Sequence, residues 1–191
     1  MGAIAIPHLH SARLRLRPHT PADFPSLAAM WAEAEVVRYI SGKPSSEHES
    51  WMRMLVLAGL WPTLGFGYWA VEERATGAYV GQVGFADFRR ETEPAVHGVP
   101  EAGWVLAPAF HGKGYATEAV LAAHVWVDAN VACARTVCMI DPNNTASQAV
   151  AAKCGYREFA RSPFKGATVA GGTAVLFERP RPPGARGPDA G

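Results

Sequence analysis

Three strand-like segments follow one another between Phe66 and Leu106 with only short connections between them. That succession limits the fold more than any other feature of the chain. "FGYWAVEE", "TGAYVGQVGFADF" and "HGVPEAGWVL" are rich in β-branched and aromatic residues, and the turn at Ala75–Gly77 separates the first two. Strands joined so closely run antiparallel. The next segment, "KGYATEAVLAAHVWVDAN", places Ala116, Ala119, Val120, Ala123 and Val127 on one face at helical spacing. The short buried-type run "RTVCMI" comes after it, and a strand–helix–strand crossover is parallel. The chain must therefore build a mixed sheet with helices on its faces.

The remaining segments extend the same plan. "ARLRLRP" alternates Leu14 and Leu16 with Arg13, Arg15 and Arg17, as a half-buried strand with a solvated arginine face would. Thr20 or Asp23 opens a helix carrying Leu27, Met30 and Trp31, and Ser46 with Glu49 forms a capping box ahead of a second. "NNTASQAVAAKCG" reads as a helix that stops with Gly155 at C′. Strands near "YREFARSPF" and "TAVLFERP" complete the order β-α-α-β-β-β-α-β-α-β-β. The expectation is an α/β (α+β) fold: a mixed, mostly antiparallel sheet of six to seven strands flanked by about four helices. Helices are expected over most of Ala22–Ala34, Glu47–Leu57, Gly114–Asp128 and Thr145–Lys153. One domain is expected over residues 1–179, with a disordered Pro/Gly-rich tail over 180–191.

Composition excludes several roles. The 18 basic and 17 acidic residues give a net charge of +1, which supports neither nucleic-acid nor membrane-surface binding. Met54 to Val71 is an uncharged run of 18 residues, long enough to span a bilayer. Gly59, Pro62, Gly65 and Gly67 interrupt it, so it reads as a helix end, a loop and a strand start. The first ten residues lack a basic, apolar signal-peptide pattern, and the expected location is cytoplasmic. Cys133, Cys138 and Cys154 lack metal-ligand or disulfide spacing and read as reduced hydrophobes; no metal is expected. An exposed sheet edge leaves a homodimer open.

The stretch "AFHGKGYATEAV" puts Gly112 and Gly114 directly ahead of a helix. Bare N–H groups at a helix N-terminus suit a phosphate or pyrophosphate. The loop matches neither GxxxxGK[ST] nor the dinucleotide fingerprint.

"HGKGYA", His111 to Ala116, does resemble the Q/R-x-x-G-x-G/A signature of the GNAT N-acetyltransferases. "RLRLRP", "GYWAVEERATGAYVGQVGF", "EAGWVLAPAFHGKGYATEA" and "PNNTASQAVAAKCGY" extend the likeness over Ser11 to Glu178, toward the RimJ/RimL-like ribosomal-protein-alanine acetyltransferase branch. The resemblance implies acetyl-CoA as donor and a primary amine, on a protein N-terminus or a small molecule, as acceptor. It implies that the backbone of Val105 and Leu106 bonds the pantetheine arm. The loop His111, Gly112, Lys113, Gly114, Tyr115 and Ala116 would hold the pyrophosphate, and Asn144 would meet the pantetheine. Two departures stand out. His111 replaces the signature's Gln or Arg, and aligning Gly155–Tyr156 with the Gly-Phe pair of the family's "LYxxxGF" puts Ala151 at the place of the usual tyrosine.

Acetyl transfer needs a neutral amine, a polarised thioester carbonyl and a protonated leaving thiolate. Glu101 suits the base, through an ordered water, and otherwise reads as a strand glutamate paired with an arginine. Ser147 lies one helical turn after Asn144; the resemblance to RimL-like proteins implies a proton donor to sulfur at this place, and it otherwise reads as a capping or back-bonding serine. Asn144 also suits an N-cap, His111 an exposed loop residue and Lys113 a solvated side chain. Trp31, Trp51, Trp61 and Trp69 read as core, with one or two lining the acceptor pocket. Acceptor choice is expected from Tyr39 to Ser46 and from Glu91 to Gly98. A non-catalytic acyl-CoA-binding module of the same fold is the alternative.

Overall fold

A computed structural model describes residues 5–163 and 172–184. Residues 185–191, most of the Pro/Gly-rich tail, lie outside it. One mixed sheet runs through the chain in the order β1-β2-β3-β4-β5-β6-β8-β7. Its strands are β1 (Leu9–His10), β2 (Leu14–Arg17), β3 (Tyr68–Glu73), β4 (Tyr79–Ala86), β5 (Glu101–Leu106), β6 (Arg135–Ile140), β7 (Arg157–Pro163) and β8 (Thr173–Pro180). Among the described residues, two-residue β1 brings the strands to eight, one above the upper expectation. Residues past Pro180 begin docked, since Arg181 donates its N–H to the Ala134 carbonyl at 2.9 Å.

Among the described residues five α-helices pack on the sheet: α1 (Phe24–Ala32), α2 (Ala34–Val37), α3 (Glu47–Leu64), α4 (Tyr115–Asn130) and α5 (Thr145–Lys153). The helix expected over Ala22–Ala34 divides, because Glu33 adopts extended backbone with ψ 121°. α3 begins at the anticipated box: Ser46 Oγ accepts from the Glu49 N–H at 3.2 Å, and Glu49 Oε2 accepts from the Ser46 N–H at 2.7 Å. It then continues to Leu64 instead of stopping near Leu57, passing through Gly59 and Pro62 to a left-handed cap at Gly65, φ 78°. Local cost there is about 1 kcal/mol for glycine and about 3 for proline. Burial of Leu57, Leu60 and Trp61 along the same face outweighs it. Trp61 seals the turn, donating its indole N–H to the Tyr68 carbonyl at 3.1 Å.

Two apolar layers result. On one side Ala119, Val120, Ala123 and Val127 of α4 meet Leu14, Leu16, Trp69, Val71, Val83 and Phe85 of the sheet. Trp61, Trp69 and Trp126 pack edge to face there, with centroids 4.8–5.4 Å apart. On the other side Leu27, Met30, Trp31, Val37, Met54 and Leu57 cover Tyr68 and Ala86. Trp51 is exposed rather than core.

The β2 arginines are ion-paired rather than merely solvated. Arg15 and Arg17 share Glu72 at 2.6 and 2.9 Å, and Arg17 also reaches Asp23 at 2.7 Å. All neighbouring strands are antiparallel except β5 and β6. β5 pairs with β4 along its whole length. With β6 its register is a single pair, Glu101 with Val137, beside a bond from the Val137 N–H to the Pro100 carbonyl at 3.0 Å. Past Glu101 the two strands part, and the wedge between them positions the site.

Candidate active site

Two cavities flank the parted end of β5. The first, about 520 Å³, is lined by Val105 and Leu106 of β5, by Gly112, Gly114, Tyr115, Ala116 and His111, and by Asn144 and Ser147. The second, about 580 Å³, is lined by Glu101, Arg90, Tyr68 and Phe88, and by α3. Tyr39, Ile40, Trp104 and Val105 line both. The cavities therefore adjoin at β5, with Ser147 on one side and Glu101 on the other.

The loop before α4 has the conformation that only glycine adopts cheaply. Gly112 and Gly114 sit at φ 72° and 79°. A Cβ on Gly112 would meet nothing within 4 Å, and one on Gly114 only the Arg13 guanidinium at 3.5 Å. Backbone dihedral, rather than crowding within the protein, is what demands glycine. Gly114 is the N-cap of α4, and no side chain caps that terminus. Its first N–H groups open beside the cavity, the condition for holding an anion.

Arg13 holds this loop from a distant part of the chain. Its Nη1 donates to the Lys113 carbonyl at 2.9 Å, and its Nε donates to Glu118 at 2.7 Å. Glu118 also accepts from the Arg13 N–H and the Ser11 hydroxyl. Burial pushes the Glu118 carboxyl up, but these bonds outweigh it and hold the group below its ordinary value. Tyr115 donates its phenol to Glu73. The Lys113 side chain lies over the Phe110 ring at 5.7 Å and is not among the lining groups.

His111 is committed to the fold. Its Nε2 lies 2.8 Å from the Leu106 carbonyl and its Nδ1 3.3 Å from Glu35. The carbonyl can only accept, so Nε2–H donates to it and ties the loop to β5, while Nδ1 faces Glu35 of α2. The Leu106 carbonyl already has this partner. Asn144 is the N-cap of α5, its Oδ1 accepting from the Ser147 N–H at 3.1 Å. Among the described residues the Ser147 hydroxyl has no hydrogen-bond partner, and it lines the first cavity. Ala151 is fully buried in the core and faces neither cavity.

Glu101 is 8% exposed. Arg90 Nε donates to both of its oxygens, at 3.0 and 2.9 Å. Burial raises the Glu101 carboxyl above the ordinary carboxylate range, while the Arg90 charge and hydrogen bond oppose that rise. The arginine partner and a place in the cavity thus coincide. Sequence reasoning did not name Arg90 and gave Arg13 only as part of a solvated strand face, because nothing local links either to its partner. It also missed Trp104 at the junction. Tyr39, Ile40 and Ser41 do line the second cavity, whereas the Glu91–Gly98 segment does not. Among the described residues no group of three His, Cys, Asp or Glu side chains could hold a metal, and no helix is long and apolar enough to cross a membrane.

Comparison with known proteins gives this geometry its context. YkkB of Bacillus subtilis (strain 168) is 29% identical over 150 residues, covering 75% of this chain and 81% of YkkB. A Bordetella pertussis structure assigned to the GnaT-family acetyltransferases is 28% identical, with TM-score 0.78 over 91% of this chain and 99% of that one. RimL, a ribosomal L7/L12 α-N-protein acetyltransferase solved with coenzyme A, shares the fold: 16% identity, TM-score 0.74, 91% of this chain and 98% of that one. The profile of the acetyltransferase (GNAT) domain matches residues 13–157, which include β2, the wedge, the glycine loop and α5. The chain belongs to the GNAT acetyltransferase family and is an acyltransferase.

Proposed function

We propose that this chain transfers an acetyl group from acetyl-CoA to a primary amine by direct attack within a ternary complex. The observation that carries the reading is the pair of cavities adjoining at Trp104 and Val105, one beside an uncapped helix N-terminus and the other beside a buried carboxylate. Acetyl-CoA supplies an activated thioester carbonyl and a thiolate leaving group. The first N–H groups of α4, with Gly112 and Gly114, hold its pyrophosphate. Val105 of β5 borders the pantetheine arm where the β6 partner is missing, and Asn144, whose Oδ1 caps α5, offers its Nδ2.

The amine enters from the second cavity. Glu101 takes its proton through a water, and the raised carboxyl keeps this base nearer the working pH than an ordinary glutamate. As the amine nitrogen bonds to the carbonyl carbon and the C–S bond breaks, the Ser147 hydroxyl supplies a proton toward sulfur and regains one from water. Ala151 cannot supply the phenol usual at its place. The fold likeness to RimL supports a RimJ/RimL-like placement within the family.

The experiment is thiol release from acetyl-CoA against an amine panel, with acetyl-CoA binding followed by calorimetry and acetylated product by mass. Binding together with amine-dependent release is expected. Binding without release for any amine, accompanied by no product, would leave only an acyl-CoA-binding module.

A further inference from the structure

Among the described residues, Arg53 in the acceptor cavity has no carboxylate at ion-pair distance, Glu49 acting on it only from farther away. α3 turns Glu49, Met52, Arg53 and Val56 toward that cavity, spaced i, i+3, i+4 and i+7 along one face. Met52 and Val56 are about half exposed, at 47% and 51%, and Phe88 on the sheet side is 38% exposed. Between these apolar groups Arg53 lies over Trp31, with its Cζ 3.7 Å from the ring centroid.

The acids nearby are committed elsewhere. Glu49 spends Oε2 on the Ser46 N–H and hydroxyl at 2.7 and 3.0 Å and turns Oε1 to Lys43 at 3.6 Å. Glu101 is held by Arg90. Asp141 accepts from the Asn143 N–H at 2.7 Å. Among the described residues, Arg53 has no hydrogen bond and no carboxylate at ion-pair distance. A guanidinium cannot shed its charge, and a half-buried one on an aromatic platform keeps its planar fork of donors for a bidentate anion.

We infer that the acceptor is a small primary amine that also carries a carboxylate on an apolar frame. The carboxylate docks on Arg53, the frame lies against Met52, Val56 and Phe88, and the amine meets Glu101. A cavity of about 580 Å³ suits such a molecule. This rests on the assignment of that cavity to the amine.

Thiol release at saturating acetyl-CoA tests it with acids paired to their amides: L-methionine, 4-aminobutyrate and the dipeptide Ala-Ala, each against its own C-terminal amide, plus phenethylamine. At least one acid should exceed its amide in kcat/KM by about tenfold or more, and which acid does so separates free amino acids from peptide termini. In Arg53→Met that preference should fall roughly 10- to 100-fold, carried by KM, and Arg53→Lys should restore part of it. Calorimetric binding of acetyl-CoA reports that each variant is folded. Amides turned over as well as acids, a preference that survives Arg53→Met, or no turnover of any acid overturns the inference. Turnover of phenethylamine or the amides in those cases leaves the acetyltransferase assignment standing; no turnover of any member fails both.

Discussion

Arg90 and Glu101 are joined by a forked hydrogen bond at 3.0 and 2.9 Å, deep in the cavity where β5 leaves β6. The pair sets the protonation of the proposed base. With Glu101 raised by burial, the acid limb of kcat/KM should lie above the ordinary carboxylate range. Arg90 opposes the rise, so Arg90→Met should move that limb to still higher pH. A limb unmoved by Arg90→Met would detach Glu101 from the profile.

Glu101→Gln keeps the shape and removes the base. The rate should fall by roughly 10²-fold near neutral pH. The loss should shrink as pH rises, because more amine arrives unprotonated. An unchanged rate would make this an ordinary strand glutamate.

Ser147→Ala should lower kcat without rescue at high pH, since protonating the thiolate becomes no easier there. Acetyl-CoA affinity should change little, because the cap on α5 uses the Ser147 backbone N–H and not its hydroxyl. Equal pH-independent losses in Ser147→Ala and Glu101→Gln would place both residues in one positioning role.

The glycine loop predicts an unequal pair of variants. Gly114→Val puts a branched side chain at φ 79° and should weaken acetyl-CoA binding strongly. Lys113→Ala should cost about 1 kcal/mol or less, as an exposed charge does. A larger cost for Lys113→Ala by calorimetry would make the loop a side-chain site. Arg13→Ala, which frees the Lys113 carbonyl, should raise the acetyl-CoA Kd by about tenfold or less while leaving kcat at saturation.

Acid should unfold this chain through two histidines. Burial lowers His124 from 6.5 to about 3 and His19 from 6.5 to about 4. The unfolded chain therefore binds protons the folded chain refuses. Stability from this source is full above about pH 6.5 and declines as pH falls toward those values, by about 1.4 kcal/mol per pH unit for each proton. His124 Nε2 lies 2.9 Å from the Tyr156 hydroxyl, so His124→Gln retains a polar partner and should roughly halve the slope between pH 6.5 and 5. Denaturant unfolding across that range checks it, and an unchanged slope would remove His124 from the account.

Short-range chemistry made much of this protein legible from sequence. The capping box at Ser46, the helix over Thr145–Lys153, the glycine at its C′ position and the antiparallel-then-crossover order all arise from dihedral preference and periodicity. The glycine loop was legible for the same reason: positive φ at Gly112 and Gly114 is a property of those residues. Tertiary structure decided the rest. Burial of Leu60 and Trp61 carried α3 past Gly59 and Pro62, against local propensity. The meeting of Arg13 with Lys113, of His111 with Leu106 and of Arg90 with Glu101 depended on where the elements pack. Periodicity assigns a residue to a face of one element. Which charge from another element lies across that face is settled only when both are packed, because hydrogen bonds and ion pairs act over a few ångströms of space, whatever the separation along the chain.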